Sequence, residues 1–221
     1  MSQELLRIPA DGVHIEGLLE LPAGARGLVL FAHGSGSSRH SPRNNFVAKA
    51  LHAQGTGTLL LDLLTLAEDL DYQTRFDIAL LTHRLLVATR YVMLHTPASR
   101  QLPIGYFGAS TGAAAALQAA AALGPEVQAV VSRGGRPDLA GAHDLARVSA
   151  PTLLLVGGAD TEVLALNRAA FARLHCEKAL SVIPGATHLF EEPGALEDVA
   201  RQAAAWFGRH WRGAGGTPVR P

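Results

Sequence analysis

Ser110 stands in Gly108-Ala109-Ser110-Thr111-Gly112, directly after the apolar run 103–108 (PIGYFG) and directly before AAAALQAAAAL. A serine between a strand and a helix, with glycine two residues away on each side, can expose its hydroxyl as a nucleophile. The turn is too sharp for larger flanking residues, and the helix that follows offers free N–H groups to a developing negative charge. A serine at such a place can also act simply as a helix N-cap. Used as a nucleophile, a hydroxyl is weak at neutral pH and needs a base within reach, with an acid to orient that base. In a sheet of this kind the acid follows the serine in the chain and the histidine follows the acid. Asp160 comes after the run 152–157 (TLLLVG), and His188 comes after 179–183 (ALSVI), within PGATHLF. Asp160 could equally cap the next helix, and His188 is one of ten histidines. Three such residues in the required order, each just past an apolar run, point to Ser110 as nucleophile, His188 as base and Asp160 as acid. Asp62 and Asp138 also follow apolar runs, but only Asp160 follows the penultimate one; Glu162 on the same loop is the alternative acid.

Acyl transfer also needs two N–H donors where the carbonyl oxygen becomes negative. The backbone N–H of Thr111 supplies one, and the loop His33-Gly34-Ser35-Gly36-Ser37-Ser38-Arg39 after the run 27–33 supplies the other, assigned to Ser35. His33 is read as a structural residue beneath that loop. Gly34-Ser35-Gly36 lacks the third glycine of a dinucleotide fingerprint, Arg39 standing in its place, and the chain has neither a phosphate-loop Gly-Lys-Ser/Thr nor a His-Glu-x-x-His zinc motif. No metal or cofactor is expected. Arg39 and Arg133, both just past apolar runs, are the candidate substrate-binding cations for an anionic group, although Arg133 could instead bond loop carbonyls or Asp138.

These residues need a frame that brings them together. Segments 4–8 and 13–21 read as an antiparallel hairpin about Ala10-Asp11-Gly12. The runs 27–33, 58–64, 103–108, 127–132, 152–157 and 179–183 are short and nearly continuously apolar, as in strands buried on both faces of a parallel sheet. Helical stretches at 43–53, 73–95, 111–123, 138–146, 162–174 and 194–211 alternate with them. The expected fold is α/β: an eight-stranded, mostly parallel sheet with an antiparallel first hairpin and helices on both faces, a single domain over 1–212 and a frayed tail over 213–221. In such sheets chemistry sits at the carboxyl ends of the strands, where every candidate lies. Only about twenty residues separate the runs at 127–132 and 152–157, too few for a cap domain. An open, shallow site for small or short-acyl substrates follows as an expectation.

Composition excludes other classes. With 19 basic and 19 acidic residues the net charge is zero, which provides no field for a nucleic acid or an anionic membrane. A lone cysteine, Cys176, excludes an internal disulfide and fits a reducing compartment. The first residues, MSQELLRIPADG, do not form a secretory signal, and no apolar run would span a bilayer. A cytoplasmic protein, monomer or homodimer, acting on a small molecule is expected.

The segments HGSGSSRHSPRN (33–44), GYFGASTGAAAAL (105–117), SRGGRPDLAG (132–141), LLLVGGAD (153–160) and PGATHLFEEPGALE (184–197) together resemble the dienelactone-hydrolase-like branch of the α/β-hydrolases. The likeness runs from about residue 5 to 212 and is to the small module found alone or fused to phosphoribosyltransferases in bacteria. It implies the same triad, Ser110, Asp160 and His188. It departs from dienelactone hydrolases in having serine where their nucleophile is cysteine, so a carboxylesterase is the expected activity rather than dienelactone opening. Cys176, far from the turn at Ser110, is not expected to be catalytic. Thioesterase, acyltransferase or perhydrolase chemistry on the same residues is the alternative, as is a non-catalytic partner-binding module.

Overall fold

A computed structural model describes residues 1–211; the tail read at 213–221 lies outside them. Eight strands form one sheet in the order β1-β2-β4-β3-β5-β6-β7-β8. They are β1 (Ser2–Ala10), β2 (Val13–Leu21), β3 (Leu28–Ala32), β4 (Gly57–Leu61), β5 (Ile104–Ala109), β6 (Val127–Arg133), β7 (Thr152–Gly157) and β8 (Lys178–Ile183). The helices are α1 (Pro42–Ala53), α2 (Leu66–Asp69), α3 (Ile78–His95), α4 (Thr111–Leu123), α5 (Ala142–Arg147), α6 (Thr161–Arg173) and α7 (Ala195–His210). β1 and β2 pair antiparallel, β2 pairs antiparallel with β4, and all remaining pairs are parallel.

Alternation along the strands divides the core. Leu28, Leu30, Tyr106, Val130 and Leu154 pack beneath the helices α3 and α4, while Val29, Phe31, Phe107, Val131 and Leu153 face α1 and α7. Every residue of β3, β4, β5 and β7 is buried, which explains their unbroken apolar sequence. The alanine-rich α4 is buried over ten of its thirteen residues, since small side chains let its axis approach the strands closely. The longer α7 instead buries one stripe, Val199, Ala200, Ala203, Trp206 and Phe207, as an amphipathic surface helix does.

Three boundaries differ from those expected from the sequence. The strand placed at 58–64 ends at Leu61: the Asp62 N–H still bonds the Glu16 carbonyl in register with β2, and the Leu63 N–H then leaves the ladder for the His33 ring. The helix placed at 73–95 begins at Ile78, capped by Asp77, after a single 3-10 turn at Thr74–Phe76. Ahead of that turn lies α2, which the apolar pattern does not reveal although Thr65 and Glu68 form a reciprocal capping box. The stretch at 138–146 is a 3-10 turn, Pro137–Ala140, and α5, separated by Gly141 at φ 80°. Residues 134–151 thus hold only short turns and the six-residue α5, and no cap domain stands over the sheet among the described residues.

Candidate active site

β5 enters and α4 leaves the turn at Ser110, whose backbone sits at φ 51°, ψ −122°. A non-glycine residue held there costs about 1–3 kcal/mol and persists only where its surroundings over-determine it. Those surroundings are specific. The Ser110 N–H points to the Arg133 carbonyl at 3.4 Å, and the Ser110 carbonyl accepts from the N–H groups of Arg136 (3.0 Å) and Ala113 (3.1 Å). A Cβ on Gly108 would lie 2.4 Å from the Ala113 Cα, and one on Gly112 would lie 2.1 Å from the Ala32 carbonyl oxygen. Both obstacles are backbone and cannot rotate away. We therefore expect Gly112→Ala to lower the unfolding free energy by about 3 kcal/mol, measured from the urea midpoint. The Ser110 side chain makes no capping bond to α4, so its hydroxyl is not committed to the helix.

The loops after β7 and β8 are pinned to one another. The Gly158 N–H bonds the Ile183 carbonyl at 2.8 Å and the Ala159 N–H bonds the Ala186 carbonyl at 2.9 Å, while Gly157 leaves no room for a Cβ, which would meet the Ala186 oxygen at 2.3 Å. Asp160 and His188 follow these anchors, and His188 Nδ1 lies 2.7 Å from Asp160 Oδ2. Asp160 is the N-cap residue of α6 but makes no side-chain capping bond. An aspartate at Nδ1 holds the proton there and leaves Nε2 as the proton acceptor, the tautomer a general base requires. Gly134 lies between the two halves of the site. It directly follows the residue whose carbonyl meets the Ser110 N–H, and a Cβ on it would lie 3.6 Å from His188 Cε1. Glu162 is exposed in the first turn of α6. Asp138 is held by the Arg136 guanidinium, which donates from Nε at 2.9 Å and from Nη2 at 2.8 Å.

The loop after β3 passes directly over Ser110, where a Cβ on Gly34 would lie 2.9 Å from the Ser110 Cβ. Ser35 follows, exposed at the head of a turn closed by the Ser37 N–H on the Gly34 carbonyl at 3.2 Å. Thr111 opens α4, so its N–H belongs to the first turn that a helix leaves without an intrahelical acceptor. Beneath the loop, His33 is 4% exposed; its Nε2 accepts from the Leu63 N–H at 3.0 Å and its Nδ1 faces the Gly34 carbonyl at 2.9 Å. Burial pushes its pKa below the ordinary value of 6.5. The folded state therefore resists a proton that the unfolded chain accepts below pH 6.5, and stability is lost as pH falls from there toward the folded value. Thermal melts from pH 7.5 down to 5 are expected to fall less steeply for His33→Asn than for the wild type.

The two candidate cations differ in their surroundings. Arg39 is enclosed by acid: its N–H bonds Asp62 Oδ1 at 2.6 Å, its Nη1 pairs with Asp62 Oδ2, and its Nη2 lies 2.7 Å from Glu16. It borders a cavity of about 560 Å³ between the start of β2, the loop after β3 and α2, together with His14, His40 and Leu66. Arg133 is 8% exposed and has no carboxylate partner among the described residues. Its Nη2 reaches Asn44 Oδ1 at 3.5 Å, and its guanidinium lies 6.0 Å from the Phe190 ring centroid. Burial, with Arg43 nearby, lowers its pKa to about 10. Asn44 and Phe190 carry no signal in the sequence, because only the packing of α1 against the His188 loop brings them to Arg133; Arg43 is legible only as one of the basic residues near the strand ends.

Cys176 lies just before β8, at the opposite end of the sheet from Ser110; burial raises its thiol pKa, and its Sγ is 3.7 Å from Thr152 Oγ1. No helix of the described residues is long and apolar enough to cross a membrane, and no group of three or more His, Cys, Asp or Glu among them could hold a metal ion.

Comparison with known proteins places this arrangement. The crystal structure of a dienelactone hydrolase from Anabaena variabilis matches at 52% identity and a TM-score of 0.91, covering 96% of this chain and 99% of that one. The chain belongs to the dienelactone hydrolase family of the α/β-hydrolases. Other solved members of the fold are more distant: Est1E from Butyrivibrio proteoclasticus has a TM-score of 0.80 at 16% identity, covering 93% and 98% of the two chains. An esterase domain from Rhodothermus marinus has a TM-score of 0.77 at 20% identity, covering 96% and 100%. At such identities they speak for the fold alone. Two Mycobacterium tuberculosis proteins that carry a phosphoribosyl transferase name are 53% identical to this family member over 215 residues, 97% of its length but 48% of theirs. The chain thus spans about half the length of the curated relatives it matches. No protein-family model matches it.

Proposed function

We propose that the protein is a serine hydrolase of carboxylic esters with small or short acyl groups. The observation that carries this reading is the Asp160–His188 pair, 2.7 Å apart at Nδ1, on loops pinned beside a serine held at φ 51°. Ser110 Oγ attacks the ester carbonyl while His188 Nε2 takes its proton. The N–H groups of Ser35 and Thr111 receive the oxyanion, and the tetrahedral intermediate collapses as the imidazolium protonates the leaving alcohol. Water, activated by the same imidazole, then hydrolyses the acyl-enzyme. Asp160 keeps Nδ1 protonated and stabilises the imidazolium that forms in each half. The uncovered carboxyl edge of the sheet supports short acyl groups, since no cap domain encloses a long chain. The transferase name of the mycobacterial relatives belongs to proteins about twice as long, and no ribosyl transfer is proposed for this chain.

Hydrolysis of p-nitrophenyl acetate and butyrate, combined with labelling by a fluorophosphonate probe, tests the reading. Turnover with label on Ser110 is expected. Folded protein that neither turns over an ester nor takes the label would end it.

A further inference from the structure

Between the first turn of α1 and the loop carrying His188, the protein collects hydrogen-bond donors without acceptors. Arg133 Nε and Arg43 Nε are both buried and unpartnered. Among the described residues the Arg133 guanidinium meets only the Asn44 oxygen, at the limit of a hydrogen bond, and the Phe190 ring, and the Arg43 guanidinium only the exposed Glu191, at 3.3 Å. Asn44 itself is 2% exposed. A buried guanidinium without a carboxylate is costly, and Arg43, partly exposed and paired only with the exposed Glu191, adds a second positive charge beside it. Such groups are expected where a ligand supplies the missing negative charge. The position fits a substrate arm. Arg133 pairs across the sheet with Ala109, the residue before Ser110, one strand spacing of about 5 Å away at the backbone. The flanking loop carries His188 at one end and Glu191 at the other.

We propose that Arg133, with Arg43 and the Asn44 amide, receives a phosphate group on the substrate, so that the natural ester carries a phosphate monoester. A dianion is favoured over a carboxylate because two guanidiniums, each with an idle Nε–H, share the site while Glu191 faces solvent. A tetrahedral anion also presents enough acceptor oxygens for both Nε–H groups and the amide. The inference rests on the ester-hydrolase reading of Ser110 and adds the substrate class.

Three acetyl esters with leaving groups of matched length test it: those of 2-hydroxyethyl phosphate, 4-hydroxybutyrate and 2-methoxyethanol. In the wild type, kcat/KM is expected to be about ten- to hundredfold higher for the phosphate than for the neutral ester, with the carboxylate between them. In Arg133→Gln that ratio falls toward one, and in Arg133→Lys part of it remains. The melting temperature of Arg133→Gln is expected to be no lower than that of the wild type, whereas a purely structural arginine would lower it. Equal turnover of the three esters by the wild type, a carboxylate preference at least as large as the phosphate one, or a ratio that survives in Arg133→Gln would each overturn the proposal. If Arg133→Gln does not fold, the wild-type ratios and the same ratio in Arg43→Gln decide the matter. Turnover without preference removes this inference alone. No turnover of any ester, with Ser110 unlabelled by a fluorophosphonate, removes the hydrolase reading and this one with it.

Discussion

Ser110→Ala is expected to reduce kcat for p-nitrophenyl acetate by roughly 10⁴- to 10⁶-fold while leaving the protein folded. The proposed acyl-enzyme forms through Ser110 Oγ, and without that oxygen only binding and the oxyanion donors remain to assist attack by water. Folding should survive because the demand at this position is on the backbone. Alanine meets the same φ of 51° that serine does, and the bonds that hold the turn run from the main chain to Arg133, Arg136 and Ala113. The side chain caps nothing in α4, so its loss removes no helix hydrogen bond. Kinetics, a thermal melt and fluorophosphonate labelling of the same preparations give the answer. Undiminished turnover in a folded Ser110→Ala protein would place the nucleophile elsewhere.

Asp160→Asn is the second large effect, a loss of about 10⁴-fold in kcat with little change in stability. The asparagine can keep the geometry yet offer its NH₂ to Nδ1, which favours the tautomer with the proton on Nε2. The ring would then present a donor to Ser110 where an acceptor is needed. Stability should change little because the Asp160 carboxylate makes no cap to α6, and its one hydrogen-bond partner is the half-exposed His188. Glu162→Gln is the matched control and is expected to retain activity, since Glu162 is exposed in the helix beyond the loop. Loss of activity in Glu162→Gln with retention in Asp160→Asn would reverse the assignment of the acid.

Much of this protein is legible along the chain because the determinants are local. Continuous apolar runs mark β3 to β7, with ends displaced by a few residues at most, since a strand buried on both faces needs apolar side chains at every position. Glycines at 108 and 112 mark the turn at Ser110 because any Cβ there would strike backbone a few residues away or on the adjacent strand. The rule that chemistry gathers at the carboxyl ends of parallel strands then singles out Ser110, Asp160 and His188 before any distance is known. Where local signals compete, the sequence is less informative. The segment 62–77 turns away from β4 where the Leu63 N–H finds its partner in the ring of His33, far off in the sequence.

Charge pairing lies beyond the sequence for the same reason. Arg39 and Arg133 have the same side chain and both follow apolar runs, yet the strand order sets Glu16 of β2 and Asp62 after β4 around the first and sets Arg43, Asn44 and Phe190 around the second. The choice between Asp160 and Glu162 turns likewise on the hydrogen bonds that pin the β7 loop to the β8 loop and aim one carboxylate at His188. Periodicity and glycine spacing are written over a few residues, so the sequence by itself determined the fold class and the candidate positions for chemistry. Which carboxylate faces the imidazole and which arginine is left without one depend on contacts between residues from 23 to 89 positions apart, and only the assembled sheet decides them.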